Sequence, residues 1–487
     1  MFKSMSLRVL FFTGLMLICF SGLSQAADCR LRAFDGDKIE VLNCEPDTLS
    51  TSPFRVMDPG GVFWRISLVT PGSTGATKVR VAYTDPASGT TKIKAVGFTF
   101  TGAASHCEEL QLIGYHPSYP LNQDYNLSED VDCSATNPTS PAYERSLWQL
   151  GYAARFPDGV DGVPNSDDDT DEIKNALSQG ELGAQGFKPL GALNNEFSKT
   201  FDGKGFKIRN LYINRASTDY VGFFSRMRDG TITNVGFVDG RVIGGAATGG
   251  LVGIVYSGVI SNSYNTGSVN IATGSQQNIG GLVGTAVSVG RSIEISHCYA
   301  TGLVSGSFHV GGLVGYSGNC NITDSYATGS VSGVNDVGGL AGLCTTGTQI
   351  LRSYATGSVW GIFPHSVGGL VGILSSTGSI LNSFSTGVAT SPTDPGGLLG
   401  GRSGGTGTLT NNWWYNEINT AGVGGIPSHH GVTKANFFTD FCGSGSGTGG
   451  AVYSNWDFVD TWVAVGGLPH LKCQEGRIWN TTASVCE

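Results

Sequence analysis

The chain has 487 residues, of which 74 are Gly and 11 are Cys, and its formal net charge at pH 7 is −9. This acidic balance excludes nucleic acid as an expected partner, because phosphate binding needs concentrated Lys and Arg. Gly is about twice as frequent as the ~7% average, which favours a fold with many tight turns and close backbone contacts.

The first 26 residues are predicted to be a secretory signal peptide. MFKSMSLR carries only positive charge, and VLFFTGLMLICFSGL follows as an apolar run too short for an ordinary membrane span. Small residues at Ser24 and Ala26 predict cleavage after Ala26, and no later segment is apolar enough to be a transmembrane segment. A lipid anchor at Cys19 is the alternative, but LICF lacks the small residues expected before a lipidated Cys. The sequence therefore predicts a bacterial protein that is secreted or held at the cell surface.

Cysteine usage predicts disulfides. Cys19 leaves with the signal peptide, and the remaining Cys are even in number, which in an exported chain is typical of disulfide bonding. Proximity in sequence favours the pairs Cys29–Cys44, Cys107–Cys133 and Cys473–Cys486. The connectivity of four others stays open: Cys298, Cys320, Cys344 and Cys442. None has the C-x-x-C spacing of a zinc site.

The rest of the chain divides into five regions. Residues 27–118 alternate apolar and polar side chains, as in VFWRISLV and TKVRVAYT, which predicts an N-terminal β domain with disulfides. Residues 119–220 are predicted to form initial coils around an acidic insert at 156–172. The remaining regions are repeats at 221–415, a closing segment at 416–471 and a cystine-closed tail at 472–487.

The repeats predict the fold. Each unit reads approximately V-G-G-L-V-G, a variable turn, and G-x-I-x-N-S-Y-A-T-G-x-V-x-G, as in residues 310–333. Three short β-favouring segments per unit, without helical periodicity, describe one coil that must stack on its neighbours to bury its apolar side. The predicted fold is an all-β, right-handed parallel β-helix (β-solenoid). One core column should contain the apolar residue that recurs every 27–31 residues: Phe223, Leu251, Leu282, Leu313, Leu340, Leu370 and Leu398.

The repeat segments resemble a known family. GLVG at residues 250, 281, 312 and 369, with the variants GLAG at 339 and GLLG at 397, is similar to the GLUG-motif repeat. YNLSEDVDC, FKPLG and YVGFF look like the family's initial coils, and NNWWYN with NWDFVDTWVAVGGLPHL looks like its closing segment. The resemblance implies a secreted, adhesin-like β-solenoid. The motif does not identify one function, because it occurs in adhesins and in the non-catalytic parts of secreted peptidases.

A polar column is predicted at one corner of the coils. When the repeats are aligned on the Ile of G-x-I, the second residue after it is Asn234, Asn262, His297, Asp324, Arg352, Asn382 or Asn412. Stacked Asn amides favour a structural ladder, and Asn should then be tolerated at position 324. His297, Asp324 and Arg352 bring charge into the middle of this ladder. Charge pairing, ligand binding and catalysis are the alternatives for these three residues.

An aromatic column follows two residues later, at Tyr264, Tyr299, Tyr326, Tyr354, Phe384 and Trp414. On the outer face it would form a platform for sugar rings, whereas on the inner face it would contribute packing. The candidate ligand-binding residues are accordingly His297, Asp324, Arg352, Tyr299, Tyr326 and Tyr354.

The acidic insert is a candidate calcium site. Residues 156–172 carry seven acids and no base, and closely spaced hard oxygen ligands suit Ca²⁺, the one cofactor the sequence suggests. The candidate ligands are Asp158, Asp161, Asn165, Asp167, Asp169 and Asp171. The segment lacks the Gly that an EF-hand requires, so a solvated acidic loop is the alternative.

Together these features predict a binding or adhesion module for an extracellular glycan or a host or matrix protein, with no catalytic residue assigned. A β-helix carbohydrate-active enzyme is one alternative, but it needs acids that converge on one outer face. Most of the six acids between residues 221 and 410 occupy different phases of the repeat. The other alternative is a passive structural spacer in a surface assembly.

Overall fold

Each repeat unit forms one coil of a parallel β-solenoid in the computed structural model of the chain. Equivalent strands of successive coils pair in parallel and in chain order, which produces five long sheets along the solenoid, two with ten strands, two with seven and one with five. The all-β solenoid predicted from the repeats is therefore confirmed.

The structure describes residues 103–155, 171–415, 419–423 and 453–457, apart from short gaps at 105, 117–118, 145, 272–276, 289, 363–365, 376, 393–394, 405–406, 416–418, 420 and 454. Strands between residues 30 and 97 and after residue 431 are described by their backbone alone. The predicted signal peptide lies outside the described residues.

The first two sheets follow one another along each coil. Sheet 1 consists of Ala103–Ala104, Tyr125–Leu127, Thr200–Asp202, Gly230–Thr233, Gly258–Ser261, Ile293–Ser296, Cys320–Thr323, Gln349–Leu351, Ser379–Leu381 and Thr408–Thr410. Sheet 2 consists of Val131–Asp132, Lys207–Arg209, Gly236–Val238, Tyr264–Asn265, Tyr299–Ala300, Tyr326–Ala327, Tyr354–Ala355, Phe384–Ser385, Asn412–Trp414 and Val432–Lys434.

Three further sheets complete the coil. Sheet 3 consists of Tyr212–Asn214, Arg241–Gly244, Ser268–Ile271, Val304–Ser305, Val331–Gly333, Val359–Gly361 and Ala389–Thr390. Sheet 4 consists of Thr248–Gly249, Gln277–Gly280, Phe308–Gly311, Asn335–Gly338 and Val367–Gly368. Sheet 5 consists of Phe224–Met227, Val252–Val255, Val283–Val287, Val314–Gly318, Ala341–Cys344, Val371–Ser375 and Leu399–Ser403.

Other elements lie outside the coils. The described α-helices are Cys107–Leu112, Leu147–Leu150, Tyr152–Arg155 and Asp171–Ala176, with 3-10 turns at Ser134–Thr136, Pro141–Tyr143 and Gly183–Gln185. Antiparallel pairing joins Arg30–Phe34 to Lys38–Leu42, and forms a four-stranded sheet from Phe54–Met57, Phe63–Leu68, Lys78–Thr84 and Thr91–Gly97. Two further antiparallel pairs join Trp462–Val465 to Leu468–Leu471, and Trp479–Asn480 to Val485–Cys486. Among the described residues no helix is long and apolar enough to cross a membrane.

The recurring Leu residues form one continuous core column, as the repeat period predicts. From Leu251 to Leu370 each backbone N–H donates to the carbonyl of the equivalent Leu in the next coil, at 2.7–2.9 Å. All six Leu side chains are 0% exposed. Burial of a Leu side chain contributes about 1.5–3 kcal/mol, so this column is a main source of stability between coils.

The Gly residues beside this column allow the coils to approach closely. A Cβ added at Gly312 would collide with the carbonyl oxygen of Gly339, and one added at Gly339 would collide with that of Gly369. The sequence suggests that Gly also supplies the positive φ of the corners, but several corners use Asn, Asp or His instead, as at Asn262 with φ 52°. These residue types tolerate the left-handed conformation better than other non-Gly residues.

The predicted disulfide between Cys107 and Cys133 is confirmed. The expectation of disulfides is wrong for Cys298, Cys320 and Cys344, which are buried free thiols. Cys320 lies in sheet 1 and Cys344 in sheet 5, and all three thiols are packed in the solenoid core. A buried thiol behaves as a small apolar group, so these Cys serve as core residues. The predicted pairs Cys29–Cys44 and Cys473–Cys486, together with Cys442, lie outside the residues whose side chains are described.

Replacement of Leu313 by Asp should unfold the neighbouring coils, because it buries an unpaired charge at a cost of several kcal/mol. The matched control is Leu303→Asp, since Leu303 is 50% exposed and should tolerate the charge. Denaturant unfolding followed by circular dichroism measures both variants. Equal stability of the two variants would contradict the core column.

Native protein should protect Cys298, Cys320 and Cys344 from alkylation by iodoacetamide at pH 8. Burial raises the pKa of Cys298 and of Cys344 to about 12, so both stay as unreactive thiols at this pH. Peptide mapping by mass spectrometry should find all three labelled only after denaturation. A disulfide joining any two of them would contradict the assignment.

Candidate functional site

The polar column lies at the corner between sheets 1 and 2. Six of its seven predicted members occupy this corner with positive φ, and the φ values are 54°, 52°, 54°, 48°, 45° and 51° for Asn234, Asn262, His297, Asp324, Arg352 and Asn382. The left-handed backbone explains why Asn recurs here, because its short polar side chain tolerates that conformation.

The prediction of Asn412 as the seventh member of the column is wrong by one residue. Leu409 pairs with Ile380 in sheet 1, so the corner position is Asn411, with φ 51°. Asn412 points inward instead: it is 1% exposed, accepts a hydrogen bond from Ser383 N and donates one to Ile380 O.

Amide stacking is present at both ends of the column. Asn262 Nδ2 donates to Asn234 Oδ1 at 3.1 Å, and Asn411 Nδ2 donates to Asn382 Oδ1 at 3.2 Å. Asn234 Nδ2 extends the ladder to Asp202 Oδ1 at 3.1 Å. These contacts are those of the predicted structural ladder.

The middle of the column contains an ion pair. Arg352 Nε and Nη2 donate to Asp324 Oδ1 and Oδ2 at 2.7 and 2.6 Å, the bidentate geometry that is strongest for this pair. Asp324 is 4% exposed, and its hydrogen bonds raise the pKa of Arg352. His297 occupies the preceding rung, but among the described residues its imidazole takes part in no ion pair. The structure thus joins two of the three charged candidates through their side chains.

The aromatic column faces outward. Tyr299, Tyr326 and Tyr354 precede Ala300, Ala327 and Ala355 in two-residue strands, and these Ala side chains lie in the solenoid core. Because side chains alternate across a strand, the Tyr rings lie on the outer surface. Successive rings from Tyr264 to Phe384 stack with centroids 4.5–4.9 Å apart and interplanar angles of 1–6°.

The last predicted aromatic residue is also displaced by one position. Phe384 pairs with Trp413, and Ser385 pairs with Trp414. Trp413 therefore follows Phe384 in the outer column, whereas Trp414 is 0% exposed in the solenoid core and donates from Nε1 to Asn419 O at 3.4 Å.

Residues of the predicted closing segment cover one end of the aromatic column. The Tyr453 ring lies 5.7 Å from that of Phe384, and the Trp456 ring lies 5.7 Å from Phe384 and 6.3 Å from Tyr354. Between them Asn455 Nδ2 donates to Asn382 Oδ1 at 3.0 Å. Tyr354 is consequently 1% exposed, and its burial raises its pKa well above the usual value. Tyr326 is 7% exposed, whereas Tyr264 and Tyr299 are half-buried.

A second left-handed column, in sheet 4, was not predicted. His309 Nδ1 lies 2.7 Å from Asn278 Oδ1, and His309 Nε2 lies 3.2 Å from Asp336 Oδ2. All three residues have positive φ, at 50°, 64° and 55° for His309, Asn278 and Asp336. An alignment on the apolar residue that follows each of them, Ile279, Val310 and Val337, would have revealed this column from the sequence.

The calcium candidates are not brought together by the described part of the chain. Residues 156–170 lie outside the described residues, and Asp171 begins the helix Asp171–Ala176. Among described side chains no group of three or more His, Cys, Asp or Glu could hold a metal ion. The Ca²⁺ site stays a prediction.

Comparisons relate this chain to a repeat motif and to two known proteins. The model of the GLUG motif matches residues 306–332. Halomucin of Haloquadratum walsbyi is 32% identical over 200 residues, which is 41% of this chain and 2% of Halomucin. A crystal structure of a candidate immunoglobulin A1 protease from Bacteroides ovatus aligns with 76% of this chain and 91% of its own, at 19% identity and a TM-score of 0.44. The predicted resemblance is thus confirmed by a GLUG motif at residues 306–332, which lies within the stacked coils.

Proposed function

We propose that this protein is an extracellular binding module, and that its ligand docks on the outer aromatic column at Tyr264 and Tyr299. These rings stack at 4.5 Å with an interplanar angle of 4°, and both keep part of their surface in contact with solvent. A stacked pair held by paired backbones is preorganised, so binding costs little side-chain entropy.

The observation that carries the proposal is that the same column already holds a segment from elsewhere in the chain. Tyr453 and Trp456 pack on Phe384 and Tyr354, while the amide of Asn455 bonds to the ladder. The column therefore accepts aromatic groups and a hydrogen-bonding group from outside the coils. Its other end repeats that chemistry, with rings beside the polar rungs Asn262 and His297.

The covered residues are less suited to a ligand. Tyr354 and Asp324 are 1% and 4% exposed, and Asp324 is held by Arg352. Of the six residues predicted from the sequence, Tyr299 and His297 are those that the geometry favours, and Tyr264 joins them. Rings with polar edges, as in a glycan or a protein loop, match this surface.

Three features support an extracellular setting. The predicted signal peptide would direct export, the disulfide Cys107–Cys133 is typical of oxidising compartments, and the repeats are similar to Halomucin. The proposed site for a ligand is independent of Ca²⁺, whose predicted ligands lie elsewhere in the chain.

A polysaccharide-cleaving enzyme has less support. Three of the six acids between residues 221 and 410 are engaged in separate pairs: Asp229 with Arg291 at 2.7 Å, Asp324 with Arg352, and Asp336 with His309 at 3.2 Å. These pairs lie in different columns, so they do not converge as general acid–base catalysis requires. A passive spacer predicts that no change on the aromatic column affects ligand capture.

Tyr299→Ala in the mature chain should weaken binding at least tenfold, or about 1.4 kcal/mol, because it removes half of the ring platform. Labelled protein is applied to an array of glycans and extracellular-matrix proteins, and affinity for each bound ligand is then measured by calorimetry. Tyr316→Ala is the control, since Tyr316 is a half-buried Tyr in sheet 5. Equal loss in both variants, or no bound ligand, would contradict the proposal.

Asp324→Asn tests whether the ion pair is structural. The sequence predicts tolerance, but the structure leads us to expect a loss of about 1–3 kcal/mol, because Arg352 would lose its bidentate carboxylate. The double variant Asp324→Asn, Arg352→Asn should recover most of this loss, since Asn suits the left-handed corner. Thermal unfolding measures all three proteins. Unchanged stability with lost ligand binding in the single variant would assign the pair to the ligand site instead.

A further inference from the structure

The outer face of sheet 3 is free of charge over five successive coils. Its segments read TGSVNI, TGLVSG, TGSVSG, TGSVWGI and TGVATS, beginning at Thr266, Thr301, Thr328, Thr356 and Thr386. Inward Val or Ala side chains alternate with outward Ser, Thr or Asn in these strands, as with Val331, 1% exposed, beside Ser332. The outer face thus presents columns of hydroxyl and amide groups, and successive members of a column are about 4.8 Å apart.

One large aromatic residue interrupts this field. Trp360 pairs with Ser332 on one side and Thr390 on the other, so it stands in the outward column of its polar neighbours. Its surface is 50% exposed, although the adjacent Val359 is 1% exposed. Among the described residues no aromatic ring stacks on the indole and no cation lies over it. Removal of this indole from water would be favourable, and nothing within the described coil does so.

Two other exposed apolar residues lie directly beside strands of this sheet. Ile362 is 49% exposed two residues after Trp360, and Leu303 is 50% exposed two coils earlier. Ser305 Oγ donates to Asn270 Oδ1 at 2.8 Å on the same side of the sheet, which shows the spacing at which hydroxyls and amides meet there. This face therefore combines a few exposed apolar side chains with uncharged hydrogen-bond donors and acceptors.

This combination suits one class of ligand. A sugar ring has an apolar face of C–H groups and a rim of hydroxyls, so the indole can cover the face while Ser and Thr bond to the rim. A protein partner is less well matched, because protein interfaces are depleted in Ser and enriched in Arg. A polyanionic glycan would need basic residues, which these five segments lack.

We infer that the outer face of sheet 3 is a binding site for an uncharged polysaccharide, with Trp360 as its stacking platform and Ser332, Ser358 and Thr390 as hydrogen-bonding neighbours. The inference rests on the proposed extracellular binding function, but it assigns a different face and a narrower ligand class. A linear chain laid along the solenoid axis would meet equivalent hydroxyls on each coil.

The experiment is native affinity electrophoresis of the mature chain in gels containing yeast mannan, dextran or hydroxyethylcellulose. At least one neutral polymer should retard the protein, and Trp360→Ala should weaken that interaction at least tenfold. Leu193→Ala is the matched control, because Leu193 is another exposed apolar residue, 66% exposed, outside sheet 3. Polygalacturonate, a polyanion, should not retard the acidic protein.

Two results would overturn the inference: retardation of Trp360→Ala equal to that of the parent, or no retardation by any of the three neutral polymers. Circular dichroism must show Trp360→Ala folded, and Trp360→Phe should retain part of the affinity by keeping a ring. A Tyr299-dependent ligand in the array experiment would leave the proposed function intact even if sheet 3 bound no polysaccharide, so the two failures are distinguishable.

Discussion

Parallel pairing of equivalent strands is the constraint on which the rest of the structure depends. Since each coil lies one strand spacing from the next, a residue at one phase of the repeat is stacked on its equivalents along the whole solenoid. Leu313 meets Leu282 and Leu340 for this reason, and Tyr326 meets Tyr299 and Tyr354. A side chain suited to one coil must therefore suit a column, which explains both the repetition of the sequence and the cost of departures from it.

Departures from the repeat are where function is expected, because the ordinary residue already satisfies the column. At the corner between sheets 1 and 2 the ordinary residue is Asn, and the substitution of two consecutive rungs yields the pair Asp324–Arg352. On sheet 3 the ordinary outward residue is Ser, and Trp360 replaces it. The charge of Asp324 is compensated within the fold by that of Arg352. Trp360 instead leaves half of a large ring in water, which favours a partner outside the chain.

The period of the sequence suffices to predict the Leu column, the corner ladder and the aromatic column, because stacking converts spacing into contact. It fails in the last coil, where Asn411 and Asn412, then Trp413 and Trp414, offer two registers with identical residue types and only strand pairing decides. It also fails for Asn455, whose bond to Asn382 spans 73 residues and leaves no periodic signal. Trp360 likewise gives no periodic signal, because the equivalent residues of the neighbouring coils are Ser332 and Thr390.

The outer columns differ in their access to water, since Trp360 of sheet 3 is half exposed whereas the aromatic column is covered at its Phe384 end. Hydroxyl-radical footprinting of the native mature chain, mapped by mass spectrometry, measures this directly without a ligand. Trp360 should be strongly oxidised and Tyr264 and Tyr299 more weakly, while Tyr354 and Trp414 should stay protected until the protein is unfolded. Protection of Trp360, or oxidation of Tyr354 to the same extent as Trp360, would show that the outer columns do not differ in this way.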